Sequence, residues 1–331
     1  MGVKAPDPVE QDQLRVITRV AWLYHVRGMK QSQVAAQLGL SQSRVSRLLE
    51  SAVTMGIVRT TVRPPAGLQL ELEQNLIEAY GLRDAHVFDV PEADAASVDG
   101  RLLADLGRVL ADYLAEKPLT GKTIGFTSWS RTLREMVGVL EPFADPSTDY
   151  VVEMLGDVGP PDAQHEAAAV TQELARLVGG QPRFLRVPGV VNSTEVREAL
   201  LTHDAHARET LSLLGRIDEA LVGIGTCDVD APLRPGENFF SLKQFARAQK
   251  LGAVGQVNLR FIDADGNAVP SELDELVIGV SREQLLACSR TIAVAGGPAK
   301  LAAIRGALMG GWVNTLVTDT TTASALVAQA A

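Results

Sequence analysis

The sequence predicts an α/β protein in two parts, an all-α helix-turn-helix head followed by a larger body built on a mostly parallel sheet. Three observations carry this prediction. Two amphipathic segments flank Gly39, basic charge is gathered into residues 13–63, and short strand and helix patterns alternate from Ala85 onward.

The head is read from KQSQVAAQLGLSQSRVSRLLESAVTMGIVRTTVR, residues 30–63. Val34, Ala35 and Leu38 fall on one face of a first helix, and Gly39 breaks the pattern. Ser41 is a good N-cap for a second helix whose apolar stripe is Val45, Leu48 and Leu49. That leaves Gln42, Ser43, Arg44, Ser46 and Arg47 on the solvent side, with Gln31 and Ser41 at the two helix starts. Arg can reach the paired acceptors of guanine and Gln those of adenine, while Ser suits phosphates or either base. The alternating run 57–63 reads as a short wing strand with Arg59 and Arg63 available to phosphates. A Gly between two amphipathic helices also occurs in ordinary helical bundles, and charge separates the two readings. Residues 13–63 carry eight basic side chains and one acid, Glu50, a balance of +7 within a chain of −9. A basic module on an acidic protein is the footprint of a DNA-binding head, because phosphates supply most of the non-specific attraction.

Length and composition fit two domains of a soluble cytoplasmic protein: 331 residues, 46% hydrophobic and 21% charged. No run of about 18 apolar residues suggests a membrane span, and the first residues lack the apolar core of a secretory signal. The two cysteines, Cys227 and Cys288, suit a reducing compartment and read as small buried side chains. No metal site or cofactor motif is expected. The expected division is a disordered lead-in over 1–12, the head over 13–63, a linker and connecting helix over 64–81, and a ligand-binding body over 82–331.

A first helix over 14–26 forms the base of the head, and Gly28 ends it. Pro64-Pro65 marks the boundary, since neighbouring prolines continue neither a helix nor a central strand. Residues 68–80 are then helical, with Leu68, Leu72, Leu76 and Ala79 in register to pack on the body or on a second copy. Strands are expected at 85–90, 123–127, 150–155, 182–187, 220–224, 253–263, 291–295 and 315–318. Helices fall between them at 98–114, 131–140, 164–178, 195–201, 205–214, 242–250 and 300–309. Such alternation implies a sheet covered on both faces, with ligands at the carboxyl ends of its strands.

Three loops have a composition suited to a ligand. Thr127-Ser128-Trp129-Ser130-Arg131-Thr132 opens a helix, where hydroxyls, backbone N–H groups and an Arg can hold a phosphate or polyol oxygen. An ordinary capped helix with Arg131 in solvent fits the same string. Gly296-Gly297-Pro298-Ala299-Lys300 opens another helix, and a cation there opposes the helix dipole unless an anion is bound. In the Phe261–Gly266 run, Asp263 can accept hydrogen bonds from sugar hydroxyls. The run lacks the spacing of a calcium loop.

Taken together these segments resemble the SorC family of sugar-responsive bacterial regulators, related in the body to DeoR-type effector domains. The resemblance runs from about Leu14 to Ala328. It includes the QSQVAAQLGLSQSRVSRLLESAVTMGIV head, Ile124-Gly125 with SWSRTL, Val254-Gly255 with RFIDADG, and VAGGPAKLAAIRGALMGGWVNTLVTD. It implies a Rossmann-like body similar to sugar-phosphate isomerases. It also implies a homo-oligomer, a dimer or tetramer, whose binding to double-stranded operator DNA responds to a sugar, polyol or sugar phosphate. By position it places 128–132, Gly296, Gly297 and Lys300 on the ligand's phosphate or hydroxyls and Asp263 facing the sugar. Where many members carry an acid, this chain has Gln256, followed by Asn258. Two competing readings are an isomerase-like enzyme, with Glu153, Asp157, His165 or Asp263 as its base, and an architectural DNA-binder. Neither fits as well: no recognisable catalytic string is present, and an architectural protein leaves the large body without a purpose.

Overall fold

The computed structural model describes residues 8–58, 69–89, 98–227 and 238–330. By compactness the chain divides into two units, Met1–Pro64 and Pro65–Ala331.

In the first unit, helix α1 (Pro8–Ala21) runs into a π-helical turn, Trp22–Val26, closed by the Arg27 N–H donating to the Trp22 carbonyl at 3.1 Å. The helix starts earlier than its apolar pattern predicted. Residues 8–12, expected in a disordered lead-in, are helical. Helix α2 (Gln31–Leu38) stops at Gly39, whose φ of 64° is left-handed and whose N–H donates to the Ala35 carbonyl. Helix α3 (Gln42–Thr54) begins at Ser41, whose Oγ accepts the Arg44 N–H at 3.3 Å. Ile17, Val20, Leu23, Val34, Ala35, Val45, Leu49 and Ala52 form a common core. These are the helical-period positions that the sequence pattern selects. Ile57 and Val58 form a bend, while Arg59 and Arg63, expected on a wing strand, lie outside the described residues.

The second unit opens with α4 (Leu70–Tyr80), β1 (Asp84–Phe88), α5 (Val98–Ala115), β2 (Thr123–Phe126), α6 (Arg131–Val139), β3 (Tyr150–Glu153) and α7 (Pro161–Val178). It continues with β4 (Gln181–Arg183), α8 (Thr194–His203), α9 (Ala205–Leu214), β5 (Glu219–Gly223), α10 (Leu242–Lys250), β6 (Ala253–Val257) and β7 (Arg260–Asp263). Helix α11 (Arg282–Ala287), β8 (Arg290–Val294), α12 (Leu301–Met309), β9 (Thr315–Asp319) and α13 (Thr320–Ala330) complete it.

Seven strands form one sheet in the order β1-β9-β8-β5-β2-β3-β4, with every pairing parallel. Both faces are covered, so the central strands β2, β5, β8 and β9 are buried nearly throughout and successive residues feed opposite cores. Val222, Ala293 and Leu316 pack into one core, and Leu221, Ile292 and Val317 into the other. Helix α4 packs on the first of these through Leu76. Its Tyr80 hydroxyl donates to the Leu326 carbonyl at 2.8 Å, and Ile77 takes the inward place that Ala79 was expected to fill.

The chain runs β2, β3, β4 toward one edge, then returns on the other side of β2 with β5, β8 and β9. The direction of winding therefore reverses between β2 and β5, and a crevice opens at the carboxyl ends of that pair. One expected strand proves to be two. Residues 253–263 fold as an antiparallel hairpin, β6–β7, in a sheet of its own. Its turn residues, Asn258 (φ 48°) and Leu259 (φ 62°), are both left-handed. The turn was missed because Asn-Leu lacks the Asn-Gly signature of such hairpins.

A candidate ligand cavity and a candidate nucleic-acid interface

The β2/β5 crevice holds a cavity of about 280 Å³. Strand β2 delivers Thr127, whose N–H donates to the Leu221 carbonyl at 3.1 Å and so carries the β2–β5 pairing one step beyond the strand. The next residues turn, and Ser130 caps α6 by accepting the Leu133 N–H at 3.4 Å. This brings Trp129, Ser130, Arg131 and Thr132 to the cavity wall. Gly223 permits the approach, since a Cβ there would lie 2.8 Å from Ser130 Oγ.

The opposite wall is the tip of the β6–β7 hairpin. It is tied to the β5 loop by a bridge in which Gly225 and Gln256 exchange backbone hydrogen bonds of 3.0 and 2.9 Å. The Gln256 side chain lies over Gly225, where a Cβ would fall 2.2 Å from Nε2, so a larger residue at 225 would push that side chain aside. Gln256 Oε1 accepts the Leu259 N–H at 2.8 Å, and Thr127 Oγ1 donates to Asn258 Oδ1 at 2.9 Å. Trp129, Phe239 and Phe245 supply an aromatic side to the cavity, and Lys300 reaches it from the loop after β8.

Arg131 and Lys300 bring positive charge, and no Asp or Glu is among the described lining residues. The first turn of α6 adds the positive end of a helix dipole. Hydroxyls, amides, cations and aromatic faces together suit a small hydroxylated molecule that carries an anionic group.

Of the residues singled out from the sequence, Thr127, Trp129, Ser130, Arg131, Thr132, Gln256 and Lys300 line this cavity. Ser128 is buried and lies off the wall. Gly296 and Gly297 are not among the lining residues, and the Gly297 N–H donates to Asp319 Oδ2 at 3.0 Å and to Thr322 Oγ1 at 2.8 Å. Asp263, expected to face the sugar, is not among the lining residues, and its carboxylate is occupied in a turn. Oδ1 accepts the N–H groups of Asp265 (3.0 Å) and Asn267 (2.8 Å), and Trp312 Nε1 clamps the same turn through the Gly266 carbonyl at 2.8 Å.

The sequence reading missed Leu259 and the phenylalanines of the wall, and it noted Asn258 without assigning it to the site. An Asn interrupting the Val/Phe/Ile run of 254–262 was the one available signal, since Asn tolerates left-handed backbone.

None of the bases considered for an isomerase lines the cavity. Glu153 accepts hydrogen bonds from Thr171, Leu185 and Arg186. Asp157 pairs with Arg186 at 3.1 Å, and burial pushes its carboxyl up to about 6, with Arg186 opposing and the Glu153 charge adding to the rise.

In the head, Gln42, Ser43, Arg44 and Arg47 are exposed on α3, and Ser46 is half-buried beside them. Gln31 is half-buried at the start of α2. Ser41 uses its hydroxyl as the cap and lies 3.1 Å from Ser43 Oγ. Val45 and Leu49, turned inward, fix which face α3 presents to solvent. Among the described residues, no helix is long and apolar enough to cross a membrane.

A helix-turn-helix unit together with a Rossmann-like body is the build of a transcriptional regulator. Comparison with known proteins agrees: residues 65–328 match the Sugar-bind family, described as "Putative sugar-binding domain". The chain is 33% identical over 319 residues to the deoxyribonucleoside regulator of Bacillus subtilis (strain 168), covering 96% of this chain and 98% of that one. It is 32% identical to the erythritol catabolism regulatory protein EryD of Brucella abortus (strain 2308), covering 94% and 96%. Among solved structures, the full-length sorbitol operon regulator SorC from Klebsiella pneumoniae superposes with a TM-score of 0.69 at 26% identity, over 96% of this chain and 99% of that one. The chain belongs to the SorC family of sugar-binding transcriptional regulators. Its relatives are regulators rather than enzymes, so the isomerase alternative is set aside.

Proposed function

We propose that the protein reads operator DNA with α3 and that a sugar, polyol or sugar phosphate held in the β2/β5 cavity controls that reading. The cavity carries the proposal. It sits where parallel α/β sheets receive ligands, and its described lining combines two cations with hydroxyls and amides and no carboxylate. Similar regulators are named for a deoxyribonucleoside, for sorbitol and for erythritol, all hydroxylated small molecules. Arg131 and Lys300 favour a phosphorylated member of that class. On the DNA side, Gln42, Arg44 and Arg47 are placed to meet base edges, with Ser43 and Ser46 toward phosphates. Gln31 and Arg59 belong to the same proposed interface. The protein acts in the cytoplasm as a homo-oligomer, a dimer or tetramer, because paired heads read the two half-sites of an operator.

A thermal-shift screen of the full chain against free and phosphorylated sugars and polyols tests this reading. A binder at about 100 times its dissociation constant stabilises the folded state by about 2.7 kcal/mol, several degrees in melting temperature. The hit should then change the operator dissociation constant by about 5- to 150-fold in a mobility-shift assay. A panel with no hit, or a hit without effect on operator binding, overturns the proposal.

A further inference from the structure

We infer that Asn258 is a specificity-determining residue of the cavity, its Nδ2 donating a hydrogen bond to a hydroxyl oxygen of the bound ligand. This deepens the ligand reading above and rests on it. Asn258 is 4% exposed and lines the cavity. Its Oδ1 is taken by the Thr127 hydroxyl at 2.9 Å, and its Nδ2 is buried with no hydrogen-bond partner. Among the unpaired buried polar side-chain atoms of the described residues, this one alone belongs to a residue of the cavity wall. A buried donor without an acceptor is costly, and native structures rarely keep one unless something else satisfies it.

The backbone points the same way. Asn258 and Leu259 are the two described non-glycine residues with positive φ, at 48° and 62°. For leucine this conformation is strained, and such strain gathers at ligand sites where surrounding contacts enforce it. Here Gln256 enforces it by accepting the Leu259 N–H at 2.8 Å, while its own backbone is bridged to Gly225. The turn is thus held so that a neutral amide donor stands on the wall beside the Thr127 hydroxyl. A neutral donor suits a hydroxyl oxygen.

Two substitutions keep the left-handed turn. Asn258→Asp retains the shape and an acceptor for Thr127 but loses the donor; Asn258→Gly removes the side chain without adding charge. Calorimetric titration of the full chain with sorbitol 6-phosphate, erythritol 4-phosphate, 2-deoxyribose 5-phosphate and their monodeoxy analogues gives the comparison. For the tightest probe, both variants should bind about tenfold or more weakly. For one monodeoxy analogue, wild type and Asn258→Gly should bind alike, because the oxygen that Asn258 reads is gone. Should Asn258→Gly fail to fold, the same comparison is made with Asn258→Asp. Equal affinity of Asn258→Asp and wild type for the tightest probe overturns the inference. So does an equal loss for the probe and every analogue, which would make Asn258 a packing residue. If no probe binds wild type, the ligand reading falls and the inference with it.

Discussion

Lys300 and Arg47 stand for the two halves of the proposed mechanism, and each can be removed without touching the other half. Lys300 reaches the cavity wall in the second unit, and Arg47 is exposed on α3 in the first. Lys300→Ala should weaken binding of a phosphorylated ligand by about 1.5–3 kcal/mol, the range for a hydrogen bond to a charged group. Operator affinity without ligand should stay as in wild type. Arg47→Ala should do the reverse, losing about 1–3 kcal/mol of operator binding while the ligand-induced melting shift is kept. Calorimetry and mobility shift, run on both variants, check the pair. Residue type was legible at these positions because charge and hydroxyls stand out in a sequence. Asp263 shows where that stops. Its carboxylate matched a sugar contact in chemistry, yet the fold uses it to close a turn.

Among the elements, α3 was read from sequence nearly to the residue because every local signal agreed. Ser41 caps it, Val45 and Leu49 face inward, and Gly39 supplies the left-handed break. Ser41→Ala should cost the head about 1 kcal/mol, read as earlier loss of helical circular dichroism on heating, with the body's transition unchanged. The β6–β7 hairpin was not legible. Its turn depends on Gln256 and the Gly225 bridge, contacts between segments about thirty residues apart, and these override the strand preference of the run. The first turn of α6 lies between these cases. The loop composition was visible, but the approach that Gly223 permits to Ser130 was not.

For the whole molecule, the decisive feature is the reversal of winding between β2 and β5, which sets the cavity among several segments far apart in the chain. Flanking it, Asp157 carries a pH signature. Its folded-state pKa, about 6, lies above the usual carboxylate value, so the fold favours the protonated form. That contribution is full below about pH 4 and lost as pH rises through about 6. Asp157→Asn removes it, so the melting temperature of the variant minus that of wild type should climb from about pH 4 to about pH 7 and then level off. A flat difference across that range would mean that the Asp157 carboxyl titrates alike in the folded and unfolded chain.

The sequence by itself determined the division of labour: a basic helix-turn-helix head, an α/β body, and the order of nearly all its strands and helices. These rest on periodicity, capping residues and charge, which act between near neighbours in the chain. Helices α11 and α13 escaped that reading, the second because its small, uniformly mild residues give little amphipathic contrast. Only the tertiary structure decided which polar loops meet. It joined the loops after β2 and β5 to the hairpin tip and Lys300, placed Asn258 on that wall, and left Gly296, Gly297 and Asp263 off it. Strand order and hairpin register bring together residues more than a hundred positions apart, such as Thr127 and Asn258, and no local pattern records that distance.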